Sequence, residues 1–273
     1  MTSPTQIDAS IASEITRRLD TIEADHTVRV LYASEAGSRA WGMASPDSDY
    51  DVRFIYVHPA DWYLSIDLQR RDDTIDVPIT DALDMHGWDL KKALHLFRTS
   101  NPPLLEWLQS PLVYREAEAT MQRWRSMIPT YYTPIAAGYH YLHMAQSIHQ
   151  SDLTGDGPVS VKSYLYVLRA LLAVRWMERR EDPVPVRIER LVAVGVEDNE
   201  RRTAIRRLLN QKQTGAERHR GPRWPTLDAF IADEFERLRD TRFASADGPK
   251  PLAPLNAFFR DVVRRTSPEL SAP

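Results

Sequence analysis

Residues 37–57 read GSRAWGMASPDSDYDVRFIYV. Asp49 and Asp51 stand two apart ahead of an apolar run, and in an extended strand that spacing puts both carboxylates on one face. Two carboxylates so placed repel each other unless something positive lies between them. A hard divalent cation, Mg²⁺ or Mn²⁺, meets that need, because it takes oxygen ligands. Gly37 lets the backbone approach a ligand closely, and successive N–H groups there can hold a phosphate. Ser38 and Ser48 add short hydroxyls, and Arg39 follows Ser38 directly. Together these residues read as a metal pair facing a phosphate cradle. A D-x-D alone is commonly a solvated loop edge, and a G-S pair alone says less. A G-S pair whose serine stands eleven residues ahead of a D-x-D that opens an apolar strand is far more specific. Arg53 falls at the next period-two step and shares the face. It is placed to orient Asp49 and Asp51 by ion pairing, or simply to neutralise them.

These residues need a rigid frame. TVRVLYASE, from residue 27, is β-branched and alternating and predicts a strand over about 27–33. SPDSD is turn chemistry, and DVRFIYVHP predicts a second strand ended by Pro59. ADWYLSIDLQ reads as a connecting excursion. DTIDVPITDALDM is strand-like again, with Pro78 marking a bulge or an edge. Ile11, Ile15, Leu19 and Ile22 recur at helical steps near the N-terminus. DLKKALHLFRTSN and PPLLEWLQS predict two further helices, and beyond residue 115 the periodicity is almost wholly helical. The expected division is a mixed α/β part over 1–125 and a helical part over 126–273.

The bulk numbers exclude several classes. A net charge of −3 over 273 residues rules out a globally basic nucleic-acid binder, though not a local basic groove. With no cysteine there is no disulfide framework, thiolate metal site or cysteine nucleophile. No apolar run reaches the roughly 18 residues of a membrane helix, and the N-terminus is too polar for a signal peptide. A cytoplasmic location without membrane contact is the expectation.

GSRAWGMASPDSDYD resembles the signature of polymerase-beta-like nucleotidyltransferases: G-S, about ten residues, then D-x-D. The narrower resemblance is to the RlaP-like group associated with RNA repair. SDYDVRFIYV, GWDLKKALHLF with SNPPLLEWLQSPLVY, and VKSYLYVLRALLAVRW carry it. The resemblance implies an α+β fold: a small mixed nucleotidyltransferase sheet with flanking helices, followed by a mainly helical C-terminal half. It implies that Gly37 and Ser38 contact nucleotide phosphates and that Asp49 and Asp51 bind two divalent ions. It also implies a third carboxylate from a later strand.

The candidates for that third carboxylate are Asp61, Asp67, Asp72, Asp73, Asp76, Asp81, Asp84 and Asp89. The DLQRRDD charges suit a solvated loop tip. Asp89 has the form of a helix N-cap. Asp84, close to a strand and so held rigidly, is chosen as ligand and as base for the acceptor hydroxyl, with Asp89 as the alternative. His86 is set aside as a packing or hydrogen-bonding residue, and Lys92 is a weaker cationic candidate. Lys162, Tyr166 and Arg169 share one helix face by spacing, either as a solvated face or as a grip on the base or γ-phosphate of a nucleotide. Asn101 and Glu106 suit a cap and a polar helix contact. The basic stretch QKQTGAERHRGPRWP can grip a phosphodiester backbone or be a solvated loop. The expected substrate is an NTP. The acceptor is first an RNA end, by analogy with the family, and otherwise a protein or small-molecule hydroxyl. A nucleotide-binding regulator without catalysis is the alternative. The oligomeric state is left open.

Overall fold

The computed structural model describes residues 7–80, 82–155, 157–215, 220–243 and 250–267. Helix α1 (Ala9–His26) is capped by Asp8, which accepts from the Ser10 N–H, and it buries Ile15, Leu19 and Ile22. Strand β1 (Arg29–Glu35), short helix α2 (Gly37–Trp41), strand β2 (Tyr50–Val57) and one-turn helix α3 (Ala60–Tyr63) follow. Strands β3 (Thr74–Thr80) and β4 (Leu83–Asp89) lead into α4 (Leu90–Arg98) and α5 (Pro102–Leu108). Strand β5 (Val113–Glu116) precedes α6 (Glu118–Arg125) and α7 (Ile128–Tyr131). Then come α8 (Pro134–Asp152), β6 (Val159–Ser160), α9 (Val161–Arg179), α10 (Ile188–Gly195) and α11 (Asn199–Thr214). β7 (Arg220–Gly221), α12 (Pro225–Leu238) and α13 (Ala253–Thr266) complete the described chain.

The architecture is α+β, with a five-stranded mixed sheet in the order β3-β4-β2-β1-β5. Strands β2 and β4 pair in parallel, and the other pairs are antiparallel. Along β2 the pleat sends Val52, Phe54 and Tyr56 to the core under α1, while Ile55 and Val57 join the core with α4, α5, α6 and α13. Gly87 on β4 is required by this packing: a Cβ there would stand 2.1 Å from the Phe54 ring.

Pro78 lies on edge strand β3, where the register shifts between Val77 and Thr80. The stretch that predicted one strand over 73–85 is two. Ala82 takes a left-handed conformation (φ 61°), and the chain turns there. Asp84 therefore does not end a strand but stands second in β4, and Asp81 lies outside the described residues. Strand β5 lies almost wholly between the helix over PPLLEWLQS and the helical run beyond residue 115, a gap to which the sequence patterns assign no element.

Contacts group the chain into two units. The sheet unit comprises Gln6–Ala36, Asp49–Tyr132 and Asp247–Pro273, so it includes the last helix. The helical unit comprises Thr133–Ala246 and the excursion Gly37–Ser48. Within the helical unit, α9 is the buried centre and packs against α8, α10, α11 and α12. Met43 of the excursion belongs to that core.

Candidate active site

In the sheet unit, Asp51 and Asp84 are the second residues of two parallel strands and are direct partners in their ladder. The next same-face pair is Arg53 with His86. Arg53 Nη2 donates to Asp84 Oδ2 at 2.7 Å and to Asp51 Oδ1 at 3.2 Å. Its Nη1 donates to the carbonyls of Val52 and Asp84 at 3.1 and 3.0 Å. The guanidinium thus orients Asp51 and Asp84, rather than the Asp49–Asp51 pair that the spacing suggests. These three side chains are between 18% and 33% exposed, so solvent screens the pair and the arginine's value is mainly positional. Asp49 is exposed and stands just before the first residue of β2.

The other acids have different work. Asp89 follows Asp84 by an odd number of residues and so faces the opposite side of the sheet. It is buried, caps α4 by accepting from the Lys91 N–H at 2.7 Å, and accepts from the Tyr63 hydroxyl at 2.6 Å. Burial pushes its acid up to about 6, against the hydrogen bonds from Tyr63 and Lys91 that favour the charged form. Asp73 holds Lys92 in a surface pair at 2.6 Å, Asp67 pairs with Arg71, and Asp76 holds His86 Nδ1. Asn101 caps α5, accepting from the Leu104 N–H at 3.1 Å.

Glu35 escaped the sequence reading. It ends β1 with no exposed surface, and its Oε1 accepts from the Asp51 N–H at 2.9 Å. The Tyr114 hydroxyl on β5 donates to Oε2. Ser110 Oγ donates to the Glu35 carbonyl at 2.6 Å, and the Ala36 N–H to the Asp51 carbonyl at 2.8 Å. A carboxylate inside an apolar strand just ahead of G-S was the available signal.

In the helical unit, Gly37 and Gly42 both take positive φ, 56° and 80°. A Cβ at Gly42 would crowd Arg187 and Glu189 at 3.1 Å, on top of the backbone strain. Arg39 Nη2 donates to the Ser48 carbonyl at 2.5 Å. Ser45 and Ser48 close a turn: the Ser45 N–H donates to Ser48 Oγ at 2.9 Å, and the two hydroxyls share a bond of 2.9 Å. Ser38 is buried on α2.

Lys162, Tyr166 and Arg169 share a face of α9, on which Lys162 and Tyr166 are half-buried and Arg169 is fully buried. Lys162 Nζ lies 5.5 Å from the Tyr166 ring centre, and Tyr166 meets Trp41 edge-on at 5.0 Å. Arg169, fully buried, stacks its guanidinium 4.1 Å from the Trp41 ring centre. Trp41 thus joins this face to the G-S helix itself. Residues 216–219 of the basic stretch lie outside the described residues. Arg220, which is exposed, donates to the Pro158 carbonyl, and half-buried Arg223 donates to Asp228 and the carbonyls of Leu153 and Gly155.

Among the described residues, no three His, Asp or Glu side chains already stand grouped for a metal ion. None of the described helices is long and apolar enough to cross a membrane.

The sheet is small and mixed, and it sets two carboxylates side by side at the start of two parallel strands, the first of them preceded in the chain by a glycine-serine turn. The chain belongs to the RlaP family, the RNA repair pathway DNA polymerase beta family, whose model matches residues 11–261. It is 43% identical over 222 residues to the uncharacterized protein YcgL of Bacillus subtilis (strain 168), covering 81% of this chain and 84% of YcgL. A nucleotidyltransferase-like protein from Exiguobacterium sibiricum 255-15, known from a crystal structure, aligns over 92% of this chain and 91% of its own at 11% identity, with a TM-score of 0.29.

Proposed function

We propose that the protein transfers a nucleoside monophosphate from an NTP to an acceptor hydroxyl, with an RNA end as the first acceptor and a protein or small-molecule hydroxyl as the others. The observation that carries this reading is the ladder pair Asp51–Asp84, with Asp49 two residues ahead of Asp51. Carboxylates are the hard oxygen donors that Mg²⁺ or Mn²⁺ takes, so the residues fit the metal in kind. Asp49, Asp51 and Asp84 would hold two such ions, which when bound neutralise triphosphate charge and acidify the acceptor hydroxyl.

The residues' own work follows. Asp84 takes the acceptor proton. The acceptor oxygen bonds to the α-phosphorus as the bond to the β-phosphate oxygen breaks, and pyrophosphate leaves in line. Gly37, Ser38, Arg39 and Ser48 hold phosphates. Lys162, Tyr166 and Arg169 bind the γ-phosphate or base, and Arg53 keeps Asp51 and Asp84 aligned.

One observation favours a second reading. Arg53 already neutralises Asp51 and Asp84, as it would in a nucleotide-binding regulator without catalysis. Incubation with each α-labelled NTP, Mg²⁺ or Mn²⁺, RNA and cell extract separates the two. Label transfer that is lost in D49A/D51A supports the enzyme. Transfer that survives the double substitution sinks the assignment, and NTP binding without transfer supports the regulator.

A further inference from the structure

Helix α11 carries a buried apolar stripe, Ile205, Leu208 and Leu209, that continues at the next helical step into Lys212. Lys212 is 1% exposed. Burying an ammonium costs several kcal/mol before its partners compensate, by the order-of-magnitude argument for buried ions. A leucine or methionine at this position would extend the stripe without that cost. Lys212 Nζ donates to Ser45 Oγ at 2.8 Å and reaches Ser48 Oγ at 3.4 Å. Its neighbour Gln213 donates to the Gly42 carbonyl at 3.0 Å. Helix α11 therefore grips the 37–48 excursion at two points.

The two serine hydroxyls already bond each other and the Ser45 N–H. The ammonium is not needed to complete that turn. What it adds is a fixed distance between α11 and the turn, while Arg39 fixes the Ser48 carbonyl. Ser48 is joined by one peptide bond to Asp49.

We infer that Lys212 is a positioning residue for the proposed transfer: acting through Ser45 and Ser48, it sets the segment that begins at the glycine-serine pair and ends at the first metal-binding acid. At 1% exposure its ammonium acts through the serines, not by touching substrate. This rests on the reading of the site given above.

The test uses the full chain with Lys212→Met, which keeps the stem's bulk and removes the charge, and with Ser45→Ala/Ser48→Ala, which keeps the lysine. Four quantities are read: melting temperature, hydrogen exchange of peptides spanning 43–50, and kcat and KM for label transfer. K212M is expected to fold, to exchange about tenfold faster over 43–50, and to lose about 10²-fold in kcat with a smaller change in KM, the scale of a misplacement near 1 Å. The serine double variant is expected to lose a similar factor. Combining the substitutions should add little, because both act through one contact.

Unchanged exchange over 43–50 overturns the inference, as do unchanged kcat or fully additive losses. If K212M does not fold, the serine variant decides through exchange over 43–50, which loss of a phosphate contact by Ser48 does not move in the nucleotide-free protein: normal exchange overturns the inference, and faster exchange supports it. Absence of transfer by the wild-type protein fails the functional reading, and this role with it, before any variant is made.

Discussion

The sheet unit and the helical unit place their parts of one sequence motif by different means. Asp51 and Asp84 are set by backbone: parallel strands bring them opposite each other, and the period of two selects their face. Ser45 and Ser48 are set by side chains, above all by a lysine more than 160 residues further along the chain. A ladder tolerates substitution of almost any one side chain, whereas a loop held by a few side chains, Lys212, Gln213 and Arg39, depends on each of them. Beside the motif, the two units also use buried groups of opposite charge. Glu35 holds the Asp51 N–H in the sheet unit, and Lys212 holds the serine turn in the helical unit.

The largest effect should come from the carboxylates that the ladder places. Asp51→Ala or Asp84→Asn should lower turnover on the order of 10³-fold or more while leaving the strands paired. Pyrophosphate release measures the loss, and far-ultraviolet circular dichroism checks the sheet. An active D84N protein would move the third carboxylate to another residue, Asp89 first.

Arg53 is next. Arg53→Met removes the cation shared by two adjacent carboxylates, with a cost of up to about 1 kcal/mol in a partly exposed, screened setting. Divalent metal should restore part of that loss. The rise in melting temperature on adding Mn²⁺ is therefore expected to be larger in R53M than in wild type. An equal rise would mean that metal does not take over the arginine's charge role.

Glu35→Gln sharpens the contrast between the units. The amide keeps the size and one acceptor oxygen but cannot accept from both the Asp51 N–H and the Tyr114 hydroxyl as a carboxylate does. A destabilisation of about 1–2 kcal/mol is expected in urea unfolding. Turnover should fall less than in K212M, because the β1–β2 ladder still holds Asp51 in place.

What the sequence made legible follows the same line. Helix α1, strands β1 and β2 and the acids of the motif are local patterns, and period and spacing find them. Asp84 was reached by elimination, without its reason, because its ladder partner lies 33 residues back. Strand β5 pairs with β1, and nothing in its four residues announces that partner. Glu35 and Lys212 each look like one charged residue at the edge of an apolar pattern, which surface positions also show. Only the fold turns them inward. Spacing matched Arg53 to Asp49 and Asp51, whereas its ion-pair partners are Asp51 and Asp84, because spacing along one strand cannot show what the neighbouring strand brings.

The smallest effect contrasts two acids of one strand. Asp84 and Asp89 lie on opposite faces of β4, one beside Arg53 and the other in the core. Burial raises the Asp89 acid to about 6, above an ordinary aspartate near 3.8. The folded state then binds this proton more tightly than the unfolded state does. The resulting stabilisation is complete below about pH 4 and is lost as pH rises through about 6. The amide introduced by Asp89→Asn cannot titrate, still caps α4 through its one oxygen, and turns its NH2 to donate to the Tyr63 hydroxyl. The stability of this variant relative to wild type should therefore rise between about pH 4 and 6, by a figure on the order of 3 kcal/mol, and level off above. Urea midpoints across that range measure it. Turnover should stay near wild type, since Asp89 faces away from Arg53 and its ladder partners. A flat difference would show that Asp89 keeps its charge in the core through its two donors. A large loss of turnover would show that the cap, and not only the ladder, sets the geometry of Asp84.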